Sequence, residues 1–122
     1  MKKYISVLMA VVLLLTLTSC SIFKSREVKV DYGDSKIYTL EERKAAAKAV
    51  FKDFNSWQVK CRLISVEYAG DEVEKGCLTY YISFHTPRFN TGGFNSNADY
   101  SEWKMILKKI NGEWKVVNQG YA

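Results

Sequence analysis

Apolar residues run almost unbroken from Tyr4 to Leu17, behind Met1-Lys2-Lys3 and ahead of Thr18-Ser19-Cys20. A basic end, an apolar stretch and small residues at a cut form the plan of a secretory signal. The run is about 14 residues long, short of the roughly 20 that cross a bilayer as a helix. A permanent transmembrane helix is therefore not expected. From residue 21 to 36 the pattern turns polar and reads as a tether. Within it Val28, Val30 and Tyr32 alternate, which allows a short edge strand.

Thr39 to Asn55 carries the helical period. Ala47, Val50, Phe51, Phe54 and Trp57 recur on one side, and Lys44, Lys48 and Lys52 fall on the other. Thr39 and Glu42 have capping-box spacing, and Glu41 and Glu42 lie at the end that favours negative charge. The period then changes to two. Trp57, Val59, Cys61 and Leu63 alternate, and Ile64, Val66 and Tyr68 continue in the opposite phase. Such a slip predicts a bulge near Leu63–Ile64. An acidic turn, Gly70 to Gly76, leads to a strand over Cys77–Thr86, with Leu78, Tyr80, Ile82 and Phe84 on one face.

Pro87 to Ala98 is a turn-rich loop, longer than most connections in small domains and so a candidate for function. Tyr100–Ile110 and Glu113–Gln119 flank Asn111-Gly112, the preferred residues of a two-residue type I′ hairpin. That turn puts Leu107 opposite Val116. Trp103, Met105, Leu107, Trp114 and Val116 then share the core face, and Ile106 and Val117 pair on the other. The predicted order is one N-terminal helix packed across a bent, four-stranded antiparallel sheet. This is an α+β domain over residues 37–122, after a signal over 1–19 and a tether over 20–36.

Charge changes this picture little. The net charge is +5. Without Lys2 and Lys3, 16 basic side chains face 13 acidic ones, or +3. That modest excess, with no recognition motif, excludes nucleic acid as the expected partner. About 86 residues form a small core, so a homodimer through Ile106 and Val117 is a further option.

Leu17-Thr18-Ser19-Cys20 resembles the bacterial lipobox. The resemblance implies acylation of the Cys20 thiol, cleavage before Cys20, and a lipid anchor at the extracytoplasmic face of the cell membrane. Further residues resemble a family of small secreted or lipid-anchored bacterial domains of unknown function. They are Tyr32-Gly33, Tyr38-Thr39-Leu40-Glu41-Glu42, Ala46, Val50, Phe54, Leu63, Tyr68, Ser83-Phe84, Tyr100, Trp103, Ile106-Leu107, Trp114-Lys115-Val116 and Gly120-Tyr121. The family belongs to the nuclear-transport-factor-2-like, or cystatin-like, group of folds. The resemblance implies a sheet curled around the helix with a pocket at its open end. It brings no catalytic motif.

Candidate chemistry is sparse. Outside the membrane two cysteines invite a disulfide. A turn near residue 73, however, places Cys61 opposite about residue 85, away from Cys77. One histidine and two separated cysteines supply no metal-ligand cluster, and no cofactor is expected. His85 ends a strand at the mouth of the long loop, where Asp99, Glu102 or Tyr81 is a candidate partner for proton transfer. Arg88, Phe89 and Phe94 lie on the loop itself, and apolar rings on an exposed tip suggest contact with a partner. These residues point to a non-enzymatic binding module, meeting an envelope protein or small ligand through Arg88, Phe89, Phe94 and His85. The alternatives are an acid–base enzyme around His85 and an inhibitor or immunity-type envelope protein.

Overall fold

Residues 27–121 are described by a computed structural model. In chain order they form β1 (Lys29–Asp31), α1 (Leu40–Asn55), β2 (Arg62–Tyr68), β3 (Leu78–His85), β4 (Asp99–Ile110) and β5 (Glu113–Tyr121). The expected signal, the lipobox-like run and Cys20 lie outside the described residues.

Thr39 starts the helix as its sequence implies. Its Oγ1 accepts from the Glu42 N–H at 3.1 Å, and the Glu42 carboxylate accepts from the Thr39 N–H at 3.2 Å. Two N–H groups that the helix cannot satisfy are thereby paired. Ala46, Ala47, Val50 and Phe54 form the buried stripe, and Arg43 lies on the same side.

The strands lie in the order β1-β2-β3-β4-β5. The expected four-stranded antiparallel sheet is therefore corrected to a five-stranded mixed one, because β1 joins the edge parallel to β2. The cause is the connection. β1 precedes α1 and β2 follows it, and a helical crossover lets the second strand run in the direction of the first. Lys29 pairs with Ser65 and Asp31 with Glu67.

Three irregularities bend the sheet. The shift between Leu63 and Ser65 is the predicted one; others fall between Ile82 and Phe84 and between Ile106 and Leu107. A bulge adds a residue to one strand and increases its twist. On β4 the extra residue falls beside Glu102, which has a positive φ of 57°. On β5 it is Val117, so Ile106 faces Asn118 and the expected Ile106–Val117 pair does not form. Ile106 is only 9% exposed and Val117 is 44% exposed. The cross-strand pair on which the homodimer option rests is thus absent from this register.

The rest of the hairpin follows its sequence. Asn111 and Gly112 have φ of 52° and 82°, Ile110 faces Glu113, and Leu107 faces Val116. Leu78, Tyr80, Ile82 and Phe84 are fully buried under α1, with Val66, Met105 and Leu107 beside them. The Tyr80 hydroxyl donates to the Arg43 carbonyl at 2.7 Å, so the one polar atom of that row is satisfied. Cys61 and Cys77 are free thiols. They precede Arg62 and Leu78, at opposite ends of the β2–β3 ladder.

Candidate functional site

The long β3–β4 loop is built from its base upward. Thr86 is fully buried there. Its N–H donates to the Ala98 carbonyl at 2.8 Å, and its hydroxyl donates to the Asn95 carbonyl at 2.6 Å and accepts from the Ala98 N–H at 2.8 Å. Asn97 N–H closes onto the Pro87 carbonyl at 2.9 Å. Asn90, Gly92 and Asn97 take positive φ, a region that glycine and asparagine tolerate best. At Gly92 a Cβ would also sit 3.1 Å from Val59 Cγ2, so the loop lies closely on the segment between α1 and β2.

The two phenylalanines part company. Phe94 turns inward, stacking on Trp57 at 5.9 Å and meeting Phe84, Tyr100 and Trp103 edge-on at 5.3, 5.1 and 5.6 Å. It is partly buried among these rings and anchors the loop. Phe89 stays out, 80% exposed, beside exposed Arg88. Lys60 and Arg62 are exposed at the same end of the sheet. The one ion pair among the described residues is His85–Asp99, so none of these three basic groups is neutralised by a neighbouring carboxylate.

His85 does find Asp99 rather than Glu102 or Tyr81. Its Nδ1 lies 2.6 Å from Asp99 Oδ1 and its Nε2 lies 2.9 Å from Asn97 Oδ1. Acceptors on both nitrogens suit the imidazolium, which has two N–H donors and no lone pair for a substrate proton. The Asp99 hydrogen bond, and then the Asn97 one, raises the His85 pKa above its ordinary 6.5. The geometry ties the end of β3 to the start of β4 and leaves no free nitrogen to act as a base.

A pH dependence follows. With the folded pKa raised, the pair adds stability that is fully present below about pH 6.5 and is lost as pH rises through the folded value. The melting temperature should fall slightly between pH 6 and pH 9, by the small amount expected of an exposed pair. His85→Gln should flatten that step. An unchanged step in thermal denaturation would remove the pair as its cause.

A groove with a volume of about 660 Å³ lies elsewhere, at the opposite end of the sheet. Asp34, Lys36, Gly70 and Glu72 line it with Asp71. Asp71 is fully engaged as a latch. It accepts from the Ser35 and Tyr68 hydroxyls and, at 2.9 Å, from the Lys36 N–H. Those bonds hold its carboxyl below the usual range. Burial, then the bond to Asp71, pushes Tyr68 up to about 12. Arg43 supports the same corner, donating to the Tyr38 and Gly33 carbonyls beneath the latch.

Sequence reading missed Thr86, Asn97, Asp71 and Arg43 in these roles, because their partners are distant in the chain. The strongest available signal was Arg43 falling on the apolar side of the helical period. Among the described residues no group of His, Cys, Asp and Glu side chains is placed to hold a metal, and no helix is long and apolar enough to cross a membrane. Comparison with family models, curated proteins and solved structures gives no match for this chain.

Proposed function

We propose that this chain is a lipid-anchored envelope protein that acts by contact and not by catalysis. Acylated Cys20 holds it at the extracytoplasmic face of the membrane, and the β3–β4 loop end is its contact surface. The observation that carries the reading is Phe89, a large apolar ring held in water by a loop that is otherwise pinned at Thr86, Asn97 and Phe94. A ring on a slack loop could simply fold away. One on a braced loop stays available at low entropic cost. Arg88 remains in this surface, Phe94 serves beneath it, and His85 braces its edge.

A nuclear-transport-factor-2-like fold is part of the proposal. It is supported by a single helix followed by four consecutive antiparallel strands curved by bulges. The acid–base alternative gains an Asp99 partner for His85 but loses the free ring nitrogen that it requires.

A photo-crosslinking side chain at position 89, in the full chain in its native envelope, tests the contact surface. Adducts are expected at 89 and not at position 37, an exposed site at the other end of the domain. Equal labelling at both positions, or none at 89, would contradict it.

A further inference from the structure

The parallel edge strand fixes which end of the domain faces the anchor. β2 runs from Arg62, opposite His85, to Tyr68, opposite Tyr80. His85 in turn faces Asp99, so the Arg62 end of the sheet is the end that carries the β3–β4 loop. β1 is parallel to β2, and Lys29 lies level with Ser65. The chain therefore enters the sheet from the loop end. Had β1 been antiparallel, the entry would lie beside the Asp71 groove instead.

Little chain separates this entry from Cys20. Residues 21–26 intervene before Glu27, and fully extended they reach at most about 25 Å. An anchor of that reach, attached at that end, holds Phe89, Arg88, Lys60 and Arg62 close to the surface in which it is embedded. Lys24 and Arg26 add two basic residues to the connection itself. The acids toward this end are Glu27, Asp53, Asp99 and Glu102; Asp99 is committed to His85, and Asp53 accepts from Trp57 Nε1 and Gln119 Nε2. The acidic groups Asp34, Asp71 and Glu72 line the groove at the far end.

From this arrangement we propose that the partner of the loop end is the bilayer itself. Phe89 seats at the boundary between headgroups and acyl chains, and Arg88, Lys60 and Arg62 lie over anionic headgroups. A ring flanked by basic side chains is the chemistry that peripheral membrane surfaces use. The anchor and the loop then form two attachment points, which fix the orientation of the domain as well as its location. The acidic groove points away from the membrane. The inference rests on the lipid-anchor reading of Cys20.

The test uses the full lipidated chain carrying Phe89→Trp. The protein is reconstituted into vesicles of zwitterionic and anionic phospholipid with acyl chains brominated near the headgroup. Trp57, Trp103 and Trp114 give the background, measured on the unsubstituted protein. Ile37→Trp, at a 63% exposed site beyond the far end of β1, is the control. The added emission at position 89 should be blue-shifted and quenched about twofold or more, and that at position 37 should not. Protein that floats with the vesicles while position 89 stays unquenched overturns the orientation and leaves the anchor standing. Unsubstituted protein that fails to float removes the anchor reading, and the inference with it. A protein adduct in place of a lipid adduct at position 89 in native membranes would also overturn it.

Discussion

Truncating Phe84 to alanine is expected to destabilise the domain by about 3–5 kcal/mol, the range for a buried phenylalanine whose neighbours cannot fully collapse. Phe84 is fully buried. Its ring stacks on Tyr100 at 5.2 Å and meets Phe54, Trp57, Phe94 and Trp103 at 6.0, 5.2, 5.3 and 5.7 Å. These rings come from the helix end, the residues just after it, the loop and β4, and they are rigid plates that cannot flow into the space left behind. Small domains have a total stability of roughly 5–15 kcal/mol, so the loss is a large share. The melting temperature should fall by about 15–30 °C. Phe89→Ala should change stability by less than about 0.5 kcal/mol, as an exposed side chain does. Thermal denaturation followed by near-ultraviolet dichroism checks both. Similar effects at the two positions would mean that the aromatic cluster is not the core of this end.

Replacing Cys20 with serine is expected to move the protein out of the membrane fraction. Serine has no thiol to acylate. Each buried methylene of an acyl chain contributes about 0.8 kcal/mol, and two chains anchor a protein stably where one does not. The loop end offers one phenylalanine and a few basic side chains, far too little to replace two acyl chains. The membrane-bound share should fall by about tenfold or more, with a further fall on adding salt, which screens the headgroup attraction. Full retention of the serine variant would mean that the uncleaved leader, and not lipid, holds the protein.

Much of the fold is legible in the sequence because its determinants are local. Thr39 and Glu42 are three residues apart, and Asn111-Gly112 sets the register of β4 on β5 from Ile110–Glu113 as far as Leu107–Val116. The phase slip at Leu63–Ile64 appears as a bulge where it was read. What escapes depends on distant partners. The short edge strand that Val28, Val30 and Tyr32 allow does form as β1, but its parallel pairing with β2 is set by residues far along the chain. The Val117 bulge leaves no change of alternation ahead of it, so Ile106 and Val117 read as a pair. Phe89 and Phe94 are equivalent in sequence, and the position of Trp57 and Trp103 decides which one packs inward. His85 had three candidate partners, and the turn through Asn97 selects Asp99.

The proposed location of the domain and the proposed orientation of its loop end both rest on the lipid anchor proposed at Cys20. The intact mass of the mature protein, extracted from its own membranes, tests it most directly. A chain beginning at Cys20, lacking residues 1–19 and carrying the added mass of acyl groups on that residue, is the expected result. A membrane-bound chain that retains Met1, or begins at an unmodified residue, would contradict it.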